Sequence, residues 1–172
     1  LKILEKLEQI ADLGQSNKKL QTEMNVIEAG HIWNLLTSRY EVIETTQLLQ
    51  DFAGDPDLKL ILNEGLKFLK RQVDALENTA NKYGLPLPKK PPAASNSAVK
   101  VEVITDEFIF KRVFSGIQSF VPLYGTAMIQ TTSAKLREEF LRYLQDELKL
   151  YDKLVVYGQL KGWLLEPPAY RV

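Results

Sequence analysis

The stretch Asp55-Pro56-Asp57-Leu58-Lys59-Leu60-Ile61-Leu62-Asn63-Glu64-Gly65-Leu66-Lys67-Phe68-Leu69-Lys70-Arg71-Gln72-Val73-Asp74-Ala75-Leu76 decides the fold. Leu58, Leu62, Leu66, Leu69, Val73, Leu76 and, one turn on, Ala80 recur at three-and-four spacing, the period of one buried helix face. Asp55 suits the N-cap, Pro56 the first turn, where its missing amide would lack a partner anyway, and Gly84 closes the run. A helix is therefore predicted over residues 56–83.

Upstream, residues 23–52 read as a second long helix with Ala29, Trp33, Leu36, Tyr40 and Ile43 as one inward face. Only Gly54 and Asp55 intervene before Pro56, so the two helices must be antiparallel neighbours. Further upstream, Ile3, Leu4, Leu7, Ile10 and Ala11 mark a short amphipathic helix, Leu1 to Leu13, stopped at Gly14. So short a helix has to dock on its own bundle or on another subunit.

Downstream, the proline-rich start of residues 85–104 reads as extended linker, with Val99 to Ile104 as a short strand or its continuation. At about 3.1 Å per residue this segment reaches about 60 Å, enough to travel the length of the preceding helix. Such a long crossover is the connectivity of ferritin-like bundles. Thr105 or Asp106 then caps a helix to about Thr131, with Pro122 expected to bend it. Ser133 caps another, Ala134 to Lys161, closed by Gly162 and followed by a tail to residue 172.

Laying Asp55 on Ser133 aligns the two closing helices without a gap. Leu58, Leu62, Leu66, Val73 and Leu76 fall on Leu136, Phe140, Leu144, Tyr151 and Leu154, and Gly84-Leu85-Pro86 has its counterpart in Gly162-Trp163 and the prolines beyond. The expected architecture is one all-α domain over residues 1–172: a four-helix, ferritin-like bundle of two duplicated hairpins, 23–84 and 105–162, with a crossover at 85–104 and a short N-terminal helix, 1–14.

Composition excludes several classes of function. The 172 residues carry 22 basic and 22 acidic side chains, which removes a bulk electrostatic argument for nucleic acid or an anionic membrane. There is no cysteine, hence no disulfide, thiol nucleophile or thiolate metal site. Leu1 to Glu8 is charged and amphipathic, so export by a signal peptide is not expected. Val113 to Ala134 contains no charged residue, but its apolar part is about 17 residues, at the short limit for a span, and it reads as a buried bundle helix.

A ferritin-like bundle invites a search for a dinuclear carboxylate site, which draws a Glu from each of two helices and a Glu-x-x-His from each of the other two. Glu28-Ala29-Gly30-His31 holds the chain's single histidine, near a helix start rather than at mid-height, and Glu28 there complements the helix dipole. Glu147 interrupts an apolar stripe where the other hairpin has Leu69. It either meets Arg39, a tyrosine hydroxyl or a water, or lies at the stripe's edge and reaches solvent. No metal or cofactor site is expected; an atypical one would have to draw on Glu147, Tyr151, Glu44 and Glu64. A Ser-His-acid triad would have to use His31, and there is no Gly-x-Ser-x-Gly and no phosphate loop. Phe108, Phe110, Phe114, Phe120 and Tyr124 read as core, and Glu138-Glu139 and Asp146 as surface charges.

Several short motifs stand in a definite order: Glu28-x-Gly30-x-Ile32-Trp33, Gly84-Leu85-Pro86-Leu87-Pro88, Asp106-Glu107-Phe108, Leu123-Tyr124-Gly125, and Lys161-Gly162-Trp163 ending in Pro167-Pro168. Together, over about Glu23 to Tyr170, they resemble an uncharacterised bacterial family related to spore coat proteins. Glu147-Leu148-Lys149-Leu150-Tyr151-Asp152 is similar to the Glu-Leu-x-Leu-His-Asp of the coat F type, with Tyr151 where that family carries His. The resemblance implies a ferritin-like fold and a non-enzymatic structural or assembly role in the spore coat or mother-cell cytoplasm of an endospore former. It implies other coat proteins or further copies of itself as partners, without nucleic acid or a membrane span. A homodimer through Leu1–Leu13 is compatible with it, and a metal-binding bundle is the alternative.

Overall fold

The computed structural model describes residues 10, 16–90 and 104–168. Among these the chain forms five helices and no strand: α1 (Asn17–Gln21), α2 (Val26–Phe52), α3 (Pro56–Lys82), α4 (Asp106–Gln130) and α5 (Ala134–Lys161). The expected helix Leu1–Leu13, most of the crossover including the strand at Val99, and the end of the tail lie outside the described residues.

The caps set the boundaries. Asn25 accepts from the amides of Ile27 and Glu28 at 2.9 and 3.0 Å, and Glu28 accepts from the Asn25 amide at 3.0 Å. This reciprocal capping box starts α2 at Val26, three residues later than the apolar period alone indicates. Asp55, Thr105 and Ser133 cap α3, α4 and α5 as predicted. Gly84 and Gly162 adopt φ values of 65° and 69°, the left-handed conformation that closes α3 and α5. α4 runs unbroken past Pro122. The short α1 was not foreseen; its Leu20 is buried.

The ends of the helices fix the topology. The amides of Gly54 and Asp55, in the α2–α3 turn, donate to Asp106 at the start of α4, while Thr132 and Ser133, in the α4–α5 turn, donate to Glu28 at the start of α2. Thus α3 and α4 run in the same direction, and the chain leaves α3 at one end of the bundle and begins α4 at the other. α2 pairs with α3 and α4 with α5, and between the hairpins α2 meets α4 and α3 meets α5. This is the ferritin-like crossover arrangement rather than up-down-up-down. The start of the crossover turns back along the first hairpin: Pro88 is buried, and Lys90 Nζ lies 2.7 Å from Glu77 on α3.

The two turn clasps are equivalent. In the register that lays Asp55 on Ser133, Gly54 falls on Thr132, so each hairpin's turn gives the same two amides to a first-turn carboxylate of the other hairpin. Leu58 and Leu136, Leu62 and Phe140, and Leu76 and Leu154 are buried pairs in that register.

The inward face of α2 agrees with the predicted one at Leu36 and Tyr40, which are buried, and differs elsewhere: Trp33 is 42% exposed, whereas Ile32 and Leu35 are buried together with the polar Glu28, Arg39 and Thr46. Phe108, expected in the core, is also exposed, beneath the Arg112 guanidinium.

Candidate functional site

Two large apolar clusters and a small one, Leu66, Phe68 and Leu69, fill the bundle. Of the large ones, the first is built around Leu36, Leu76, Tyr124 and Phe140, the second around Leu58, Ile109, Phe110 and Leu154. Where they meet, near mid-height, each long helix contributes one polar side chain: Arg39 from α2, Gln72 from α3, Tyr124 from α4 and Glu147 from α5. All four are buried, Arg39 and Glu147 at 1% exposure. Arg39 Nη2 donates to Glu147 Oε2 at 2.7 Å and to Tyr124 Oη at 2.6 Å, and Nε donates to the same hydroxyl at 3.0 Å. Tyr124 Oη in turn donates to Gln72 Oε1 at 3.1 Å. The Phe120 ring covers the guanidinium, 3.7 Å from its central carbon.

Glu147 therefore does not reach solvent; it takes the Arg39 partner. Burial raises its pKa above the ordinary carboxylate value, and the attraction of Arg39 offsets only part of that rise. Burial likewise pushes the Tyr124 hydroxyl up to about 12 against the pull of Arg39, so it stays protonated and can both accept and donate. The layer is a set of fixed hydrogen bonds with no nucleophile beside a base.

The other candidate ligands do not join it. Glu64 is exposed and paired with Lys153, Tyr151 stacks on Phe114 with ring centres 5.2 Å apart, and Glu44 is half-buried. Among the described residues no three His, Cys, Asp or Glu side chains gather as a metal-binding group. A dinuclear metal centre needs carboxylates and imidazoles at this level. With one carboxylate, no imidazole and a guanidinium at the centre, these residues do not fit one.

Glu28 has another task. Buried at 1% exposure, it accepts from the Asn25 amide on one oxygen and, on the other, from Thr132 N at 2.8 Å, Thr132 Oγ1 at 3.1 Å and Ser133 N at 2.9 Å. Burial acts to raise its pKa, but the bonds from Ser133, Asn25 and Thr132 together hold it below the ordinary value. His31 is half-buried and bonds Gln130 at 2.8 Å. Glu139, expected at the surface, instead accepts from Tyr143 on its own helix at 2.6 Å and from Thr79 on α3 at 3.3 Å. The roles of Gln72 and Tyr124 in the layer were not anticipated; the one sequence signal was polar residues interrupting inward stripes.

The model of the family described as "Protein of unknown function (DUF3231)" matches residues 12–172. No curated protein matches the chain. Among solved structures, a protein of Bacillus halodurans provisionally named a spore coat protein is 18% identical, with a TM-score of 0.82 over 88% of this chain and 99% of that one. A conserved hypothetical protein of Mycobacterium tuberculosis is 10% identical, with a TM-score of 0.66 over 78% and 98%. A two-domain Anabaena variabilis protein, with DJ-1/ThiJ/PfpI-like and ferritin-like domains, is 16% identical, with a TM-score of 0.59 over 93% of this chain and 42% of that one. Identities this low carry the fold alone. No helix among the described residues is long and apolar enough to cross a membrane.

Proposed function

Since the chain belongs to the DUF3231 family, whose description assigns no activity, we propose that it is a non-enzymatic structural or assembly protein of the spore coat. The observation that carries this reading is the Arg39–Glu147 pair: the level at which ferritin-like bundles assemble metal ligands holds a guanidinium bonded to the single carboxylate there. The likeness to the Bacillus halodurans protein and the order of the coat-like motifs give the cellular setting. In this reading the protein is made in the mother cell and joins the coat through its outer surface, with other coat proteins or its own copies as partners. The two hairpins are an internal duplication, and the equivalent clasps at Glu28 and Asp106 support that.

A fluorescent fusion at the native locus tests the setting: signal on the developing spore is expected, and expression confined to vegetative growth, or signal that never reaches the spore, overturns it. Metal analysis of protein purified without chelators tests the non-enzymatic half. Substoichiometric iron, manganese and zinc are expected; a stoichiometric metal lost on substituting Glu147 or Tyr151 would establish the atypical site instead.

A further inference from the structure

Beside the Arg39–Glu147 pair lies an internal cavity of about 50 Å³. Its walls are mostly apolar, with Val42, Ile61, Leu62, Val113, Ile117 and Phe120 among them, and Arg39 and Glu147 supply its charged surface. The pair uses only part of its hydrogen-bonding capacity. Arg39 bonds through Nε and Nη2, and Glu147 through Oε2. Neither Nη1 nor Oε1 has a hydrogen-bond partner among the described residues, although both side chains are 1% exposed, and in the same layer the buried Gln72 Nε2 also lacks one. Buried polar groups of this kind are normally satisfied, and charged ones most of all.

Phe68 and Leu150 line both the cavity and an outer groove of about 310 Å³ between α3 and α5. The groove carries Lys67, Arg71, Lys149 and Lys153 against Glu64 and Asp146. Lys149 and Lys153 pair with the two acids, leaving Lys67 and Arg71 without an acidic partner among the described residues. The groove beside the chamber is therefore cationic, and the chamber itself apolar with one donor and one acceptor.

We propose that this cavity is a binding site for a short-chain carboxylic acid, taken up in its neutral form, or the corresponding primary amide. A carboxyl or carboxamide head has an oxygen to accept from Arg39 Nη1 and, next to it, an O–H or N–H to donate to Glu147 Oε1; its alkyl part meets the aliphatic walls. An anion entering without a proton would compete with Glu147 for Arg39, which is why the neutral form is specified. The cationic groove concentrates the carboxylate outside, where it is the abundant form. Size limits the ligand: at roughly 10–15 Å³ for each water-sized sphere, the chamber takes about three or four non-hydrogen atoms, the size of acetic acid or acetamide. The site does not depend on a place in the spore coat, and its test can fail independently of that reading.

Methyl-region NMR of the full chain, titrated with acetamide and separately with acetate, tests it. Saturable shifts of the Val42, Val113 and Leu150 methyls are expected, with a dissociation constant in about the millimolar range suited to so small a ligand. Acetate affinity should fall about tenfold per pH unit once both acetic acid and Glu147 have ionised, since the complex holds one proton that neither free partner then carries, while acetamide affinity holds over that range. Thr46→Leu, which adds volume at the cavity wall, should weaken both at least tenfold while the unfolding midpoint shows that the variant remains folded. Xenon under pressure reports the chamber in the parent protein without any substitution. Xenon shifting the cavity methyls while acetamide leaves them unmoved overturns the proposal, as do acetamide shifts confined to the outer groove or unchanged by Thr46→Leu in the folded variant.

Discussion

Glu28 and Glu147 are each 1% exposed, yet their surroundings move their pKa values in opposite directions. Glu28 is surrounded by amide and hydroxyl donors that outweigh burial; Glu147 has one cationic partner, which burial outweighs. For Glu28 the unfolded chain binds its proton more readily than the native one. Its contribution is thus present above the ordinary carboxylate pKa, about 4.3, and lost as the pH falls through the lower folded value. For Glu147 the native state holds the proton more readily, so its contribution declines as the pH rises from the ordinary value through the raised one. Unfolding of Glu28→Ala, followed between pH 3 and 7, should accordingly show a flatter acid limb than the parent. An unchanged limb would mean that Glu28 carries no such linkage. The ion pair is open to a double-mutant cycle. Arg39→Met or Glu147→Leu alone leaves a buried charge unpaired and should lower stability by about 3–5 kcal/mol, whereas the double substitution should return to within about 1 kcal/mol of the parent or exceed it. Denaturant unfolding of the four proteins measures this, and additive losses would show that the pair does not act as a unit.

At the scale of the element, α3 and α2 show what a sequence reveals and what it hides. Apart from the buried Gln72 and the exposed Leu60, α3 keeps apolar residues inward and polar ones outward, so both its span and its buried stripe are legible from Asp55 to Gly84. α2 inverts that rule at several places. Glu28 and Arg39 turn inward because each has buried partners on another helix or turn, and Thr46 lines the cavity, while Val26, Ile27, Trp33 and Leu48 face out. A polar residue with a buried partner on another helix cannot be told from a surface residue until that helix is placed, which is why Trp33 was assigned to the core and why Arg39 was named only as one partner for Glu147. Gln72 is hidden for the same reason, whereas Tyr124 reads as core and is buried, only the partners of its hydroxyl being illegible. α5 carries a different constraint, legible only in three dimensions. A methyl group added at Gly158 would fall within the Phe110 ring, so the glycine allows α4 and α5 to approach closely there. Gly158→Ala should gain about 1 kcal/mol of helix propensity but lose about 1–3 kcal/mol to overpacking. A net loss in thermal unfolding, relieved by adding Phe110→Leu, is the expected pattern; stabilisation by Gly158→Ala alone would show that the ring moves aside freely.

For the whole molecule, the relation between the hairpins matters more than either one. Each is joined internally by a short turn, but between them the helices meet less extensively, and polar clasps bind the two ends: Asp106 receiving Gly54 and Asp55, Glu28 receiving Thr132 and Ser133. Glu28 and Asp106 stand at opposite ends of helices about 40 Å long, by the rise of about 1.5 Å per residue. They share no partner, so the free energies of removing them should add. Charge-assisted bonds are each worth about 1.5–3 kcal/mol, the lower figure suiting the exposed Gly54 amide. Glu28→Ala and Asp106→Ala should therefore each cost about 3 kcal/mol, and the double variant their sum to within about 0.5 kcal/mol. Since a domain's total stability is about 5–15 kcal/mol, the double variant should be near the limit of folding. Denaturant unfolding of single-tryptophan variants that keep either Trp33, in the first hairpin, or Trp163, just past the end of the second, as fluorescence reporter distinguishes two ways of failing. Coincident transitions at both reporters are expected while one clasp remains. If the single variants already split the transitions, the hairpins fold independently and the clasps only align them; if the double variant loses much less than the sum, the two ends communicate through the Arg39–Glu147 layer between them.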